Sequence, residues 1–353
     1  MDIKVLQQNI DLLACPECGK SLELVSADQK HLLMCNICNI VHPVIDGIPV
    51  ILTLTTRNPS LEAAAIKQFA EINNLDVNVK RACLNTIGHL NSIPEADGWE
   101  WEDEKHWSAV YENRMAETPA EARWNARQWQ RQPIIDPILK AGDLASKRIL
   151  DIGCGEGQNF RLFFKNTCKK DCIYIAADIS MNALLLNRTY NKKTETAVLY
   201  VLCSADNLPF QRTSVDIVCF FGILHHSRLK EKNIALASKL VKSSGWIVIH
   251  EAVQRFTKPR KPAAGESAHE ERINPVYLKN AVYGLRDDFD IAYEGAFFTI
   301  FYLVAAKCLG SLMDRHRWIY RSVEMVDIIL ARLFGRVIPI FKPSEQRYLL
   351  HKK

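Results

Sequence analysis

The sequence holds no apolar run long enough to cross a bilayer, no long basic run and no low-complexity tract. The first absence argues against a transmembrane helix, which needs about 20 apolar residues. The opening residues, Met1-Asp-Ile-Lys-Val-Leu-Gln-Gln-Asn-Ile, lack the apolar core of a secretory signal. A net charge of +5 over 353 residues is mild and neither demands nor excludes nucleic acid. Two phosphate-binding signatures are also missing. No Gly-Lys-Ser/Thr of a P-loop occurs, and the third glycine of a dinucleotide fingerprint falls on Gln158.

What stands in that place is Arg148-Ile-Leu-Asp151-Ile-Gly153-Cys154-Gly155-Glu-Gly157-Gln158, an apolar strand breaking into glycines, with a helix expected through Asn159–Phe164. A strand that turns sharply into a helix points backbone N–H groups at a ligand, and glycines let the ligand approach the main chain. The acid at the strand end, Asp151, suits a ligand carrying an ammonium and hydroxyls and would repel a pyrophosphate. Strand–turn–helix units then repeat from Lys147 to Glu251, the sign of a parallel sheet. The second unit ends in Asp178-Ile179-Ser180, where the acid can accept hydrogen bonds from two ribose hydroxyls and the serine suits a helix N-cap. The third ends in Ala205-Asp206-Asn207-Leu208, an acid for an adenine amino group with neighbours to flank the ring. The fourth carries Phe221-Gly-Ile-Leu-His225-His226, and a fifth strand ends in His250-Glu251.

In order and spacing these units resemble the class I S-adenosylmethionine (SAM)-dependent methyltransferases, in their ubiquinone-biosynthesis-like branch, from about Trp99 to Glu251. The resemblance implies an α/β, Rossmann-like sheet with helices on both faces. It implies a methionine-binding loop at Asp151, Gly153, Cys154, Gly155 and Gly157. It also implies ribose contacts at Asp178 and Ile179, adenine contacts at Ala205, Asp206 and Asn207, and an acceptor-side turn from Phe221 to His226. An oxygen or nitrogen acceptor can require a base, and His225 is the first candidate, ahead of His226 and His250. The alternative is that these histidines only hydrogen-bond the loop. Cys219, inside an apolar strand, reads as core.

Eleven cysteines would suggest disulfides, but four of them form two Cys-x-x-Cys knuckles, Cys15/Cys18 and Cys35/Cys38. That is the spacing of a tetrahedral, structural Zn²⁺ site, and the remaining thiols sit singly in apolar segments, as in a reducing cytoplasm. The segment between the knuckles alternates as a hairpin does. With Val41–Leu52 it is similar to small bacterial zinc-ribbon proteins related to the methyltransferase-activator subunit. His42 reads as structural, since four thiolates close the shell.

The expected organisation is a zinc ribbon at 1–55, a helical connector at 56–98 and a SAM-binding core with cap helices at 99–255. A C-terminal extension at 256–353 completes the sheet or caps the acceptor site. Aromatics at Trp99, Trp101, Trp107, Tyr111, Trp124 and Trp129 either pack the cap helices or meet the acceptor. In the extension, His269 and Glu270 either close over the acceptor or are solvated. The apolar stretches Ala296–Ala306 and Met325–Phe341 are either a helical cap or an interfacial patch lying on a membrane.

The expected activity is methyl transfer to a small-molecule, glycan or lipid-linked acceptor. The rivals are an RNA methyltransferase and a SAM- or partner-binding protein without turnover. A protein partner through the ribbon, nucleic acid, and peripheral membrane contact by the C-terminal region are the partner readings left open, with a cytoplasmic location.

Overall fold

The computed structural model describes residues 3–53, 59–92, 106–113, 131, 134–142, 144–164, 171–192, 194–227, 229–254, 273–297, 299–335, 337–338 and 342–353. The expected contacts of Trp99, Trp101, Trp124, Trp129, His269 and Glu270 lie outside these residues.

After a short helix α1 (Ile3–Gln8), an antiparallel sheet β1–β4 runs through Glu23–Ala27, Lys30–Cys35, Ile40–Ile45 and Ile48–Pro49. Two-residue turns join its outer pairs. Asp28-Gln29 and Asp46-Gly47 all have positive φ, the backbone that matches the right-handed twist of a hairpin. The expected hairpin is therefore present, one to two residues later than the alternation suggested. The polar connector forms helices α2 (Pro59–Ala70) and α3 (Val77–Ser92), whose Ile66, Phe69, Val79 and Leu90 pack on Leu32, Met34 and Val41 of the small sheet.

The main sheet has seven strands in the order β10-β11-β9-β8-β5-β6-β7. Strands β5 (Arg148–Ile152), β6 (Ile173–Asp178), β7 (Ala197–Leu202), β8 (Val215–Phe221) and β9 (Val241–Ala252) are parallel. Their apolar runs are buried on both faces, as parallel strands require. Between them lie α4 (Phe160–Phe164), α5 (Met181–Asn191) and α6 (Lys230–Leu240). The strand order reverses at β5, which has β6 on one side and β8 on the other, and such a switch point opens a crevice at the strand carboxyl ends.

The C-terminal part adds α7 (Pro275–Tyr283), β10 (Phe289–Phe297), α8 (Ile300–Arg315), α9 (Arg317–Phe334) and β11 (Glu345–Lys352). Strand β11 is antiparallel to both β9 and β10. The apolar stretch Ala296–Ala306 is divided between the end of β10 and the start of α8, so its hydrophobicity serves two different packings. No helix among the described residues is long and apolar enough to cross a membrane.

The small sheet is fused to the large one at edge strand β7. Ala14 N–H donates to Pro209 O (2.9 Å), Gln211 N–H to Leu12 O (2.9 Å) and Ile51 N–H to Leu202 O (2.9 Å). Leu13, Cys15, Leu33 and Cys35 share one buried apolar cluster with Leu199, Val201 and Phe210.

Candidate functional site: a cleft at the sheet switch point and a four-cysteine cluster

The glycine turn crosses the top of β6, where the N–H groups of Gly153 and Cys154 both donate to Ala177 O, at 2.8 and 3.1 Å. Gly153, Gly155 and Gly157 all lie in the left-handed region. At Gly153 the requirement is also steric, since a Cβ would sit 2.6 Å from the Ile223 side chain. Behind the turn, Asp151 is fully buried and accepts from both Asn159 Nδ2 (3.0 Å) and the Tyr174 hydroxyl. Burial pushes its carboxyl up to about 6 against those hydrogen bonds. Asp151 thus braces the turn from below and does not line the cleft.

Asp178 does line it. One carboxylate oxygen accepts from Gly155 N–H and the other from Ser180 N–H, both at 2.9 Å. Burial raises this carboxyl, with the backbone donors opposing the rise. A carboxylate has about four lone-pair sites, so two remain for hydroxyl donors. Ser180 caps α5 as expected, its Oγ accepting from Ala183 N–H at 3.3 Å. Across the cleft, Asp206 accepts from Asn233 Nδ2 (2.7 Å) and from the Ser227 hydroxyl. Gly153, Ile179 and Ala205 complete this part of an open cleft of about 490 Å³.

The other candidates stand outside the lining. Gly155, Gly157 and Cys154 form the turn's rear, where Asn187 Nδ2 meets Gly155 O at 3.2 Å and Cys154 Sγ at 3.4 Å. Asn207 extends toward the small sheet, its Nδ2 3.5 Å from Pro16 O. Phe221 carries the Arg131 guanidinium over its ring at 5.1 Å. Burial pushes the thiols of Cys154, Cys203 and Cys219 well up, so they stay protonated at neutral pH.

The two adjacent histidines part company. His226 lines the cleft, edge-on to Trp107 at 5.2 Å between ring centroids. His225 is buried beside it, its Nδ1 2.9 Å from Glu251 Oε2. The other Glu251 oxygen accepts from the N–H groups of Ile223 and Leu224, both at 2.8 Å. Glu251 was legible only as the last residue of an apolar strand, yet it fixes the whole acceptor-side turn. Ser204, Ser227 and Ile223 were likewise missed, having no motif of their own. Trp107 and Tyr111 share a face of the helical residues 106–113, and Tyr111 Oη sits over the glycine turn.

In the small sheet, the Sγ atoms of Cys15, Cys18, Cys35 and Cys38 all lie within 4.8 Å of one another. Cys15–Cys38 and Cys18–Cys35 are 3.9 and 3.6 Å apart. Zn–S bonds of about 2.3 Å give a tetrahedral edge of about 3.8 Å, so the donor set fits one zinc ion. His42 is buried outside the cluster.

Residues 150–249 match the family model described as a methyltransferase domain. The chain is 44% identical over 57 residues to a UPF0434 protein of Nitrosococcus oceani, a span covering 16% of this chain and 86% of that one. A SAM-dependent methyltransferase of Leishmania major is 11% identical, covers 72% of this chain and 83% of its own, and gives a TM-score of 0.46. A complex of the Haloferax volcanii Trm112 methyltransferase activator with a methyltransferase is 14% identical, covering 73% of this chain and 99% of its own, at a TM-score of 0.42. By its core the chain belongs to the class I SAM-dependent methyltransferases, and by its four-cysteine ribbon to the UPF0434 family.

Proposed function

We propose that the protein transfers the methyl group of SAM to a small-molecule, glycan or lipid-linked acceptor. The observation that carries this reading is the meeting of Asp178, Asp206 and the Gly153 turn on one cleft at the sheet's switch point. Asp178 would accept from the ribose hydroxyls through its two remaining lone-pair sites. Asp206, with Ala205 and Ile179 beside it, would hold the adenine end. The glycine turn would admit the methionine end, and Asp151 would fix that turn through Asn159 and Tyr174. The bound sulfonium supplies an electrophilic methyl, so the chain's work is largely to position the acceptor and exclude water.

His225 is the proposed base. Its Nδ1–H is directed at Glu251, which leaves Nε2 as the ring atom able to take a proton. Cys15, Cys18, Cys35 and Cys38 would hold a structural zinc ion with no coordination position open to substrate.

The deciding experiment is calorimetric titration of the whole protein with SAM and, separately, with NADH, alongside its metal content. Micromolar SAM affinity, no NADH response and one zinc per chain are expected. A preparation that binds no SAM overturns the cofactor reading, and a folded, metal-free one overturns the zinc reading. Turnover with small and lipid-linked acceptors, absent in His225→Ala while SAM still binds, then supports the base. Wild-type turnover in that variant removes it. SAM binding with no turnover on any acceptor, RNA included, would favour a binding protein.

A further inference from the structure

Helix α9 is built with its faces exchanged. Its inner side buries Glu324 and Asp327 beside Tyr320 and Val323. Glu324 accepts from the buried Arg347 Nη1 at 2.7 Å, and Asp327 accepts from Thr299 and Tyr302 N–H at 3.2 Å. Its outer side carries Trp318, Met325, Ile329 and Leu333, exposed by 69, 59, 46 and 66%. The spacing i, i+7, i+11, i+15 makes these one continuous stripe along an 18-residue helix. Val337, 82% exposed, and Ile338 prolong it beyond the helix end. A contiguous apolar stripe of this kind marks an interaction surface, whereas single exposed apolar residues would not.

Charge decides what the stripe meets. Arg321 and Arg332 are exposed along one flank, at positions 60° and 40° round the helix from Trp318 by the 100° step of an α-helix. The same segment holds Lys307, Arg315, Arg317, Arg336 and Lys342 in sequence, against the acids Asp314, Glu324 and Asp327, of which the last two face inward. Two copies of this chain meeting stripe to stripe would bring rows of arginines together, which is unfavourable. An anionic surface would pair with them. Apolar residues including tryptophan, bordered by basic side chains, are the composition of a helix lying at a lipid interface.

We propose that α9 is an interfacial anchor, lying flat with the Trp318–Leu333 stripe in the headgroup–acyl boundary of an anionic bilayer. The anchor rests on no assumption about SAM or the acceptor. Flotation of the full chain with phosphatidylcholine vesicles, with and without phosphatidylglycerol, tests it. Binding should require phosphatidylglycerol, weaken with salt, fall by about fivefold or more in Arg332→Glu, and vanish in Ile329→Glu. Both variants should keep the wild-type circular dichroism and melting temperature, because both side chains point outward. Failure of wild type to float on anionic vesicles overturns the proposal, as does wild-type binding by Ile329→Glu. Sedimentation equilibrium covers the rival occupant. A dimer dissolved by Ile329→Glu, without vesicle binding, would assign the stripe to a second copy.

Discussion

The parallel half of the sheet and its antiparallel C-terminal addition both bury acids, but they satisfy them differently. At the cleft, Asp178 and Glu251 each accept from two backbone N–H groups, which are neutral and leave the negative charge and spare lone pairs in place. In the addition, Glu324 meets the guanidinium of Arg347, wholly buried on β11. The first arrangement keeps an acid available to a ligand or a histidine. The second uses its acid as a pin that turns α9's polar face inward and leaves its apolar face outside. Helix α5, by contrast, has the usual orientation, burying Ala183, Leu184 and Leu186.

The comparison is broken most severely at the pin. Arg347→Ala should cost about 3–5 kcal/mol, because it leaves Glu324 buried without its counter-charge. Glu324→Gln added to the same chain should recover part of that loss. Equilibrium denaturation reads both, and an unchanged midpoint in Arg347→Ala would show that the pair holds nothing.

Acid titration probes the boundary between the halves, where His250 of β9 donates to Glu345 of β11 at 2.6 Å. Burial, reinforced by the nearby Arg347, depresses His250 to about 4 from its ordinary 6.5. Between those values the unfolded chain binds a proton that the native chain refuses. The stability from this site is therefore complete above pH 6.5 and is lost as pH falls toward 4. His250→Gln should flatten this limb by about 2–3 kcal/mol. Asp151, raised to about 6, works in the opposite sense by gaining its proton more readily when native. It is common to both proteins and cancels in their difference.

A smaller stability effect, with a larger effect on binding, is expected at the cleft. Asp178→Ala should weaken SAM binding by about tenfold or more, since hydrogen bonds to a charged group contribute about 1.5–3 kcal/mol. Its cost in stability should stay well below that of Arg347→Ala, because removing the carboxylate also removes its burial penalty. Equal affinity in variant and wild type would sink the ribose assignment. The least effect is expected at the α5 cap, where Ser180→Ala should cost about 1 kcal/mol by thermal denaturation.

The features readable from the chain were those made by neighbours in sequence. Glycine spacing announced the turn at Gly153–Gly157, because positive φ is a local steric property. Paired Cys-x-x-Cys knuckles announced the metal-type cluster, because thiolate spacing is set within each knuckle. Alternating strand and helix patterns announced the parallel half of the sheet. Unreadable were the partners chosen across the fold. Glu251 reaches His225 over 26 positions of sequence and Arg347 reaches Glu324 over 23, and no local pattern encodes either meeting.

The same distinction explains α9. Its sequence shows apolar and charged residues at helical spacing, and that periodicity fixed an amphipathic helix without saying which face turns inward. Burial of apolar area alone would have chosen the Trp318 face. The tertiary structure chose the other, because Arg347 on β11 and the Thr299–Tyr302 backbone offered buried partners that only Glu324 and Asp327 could satisfy.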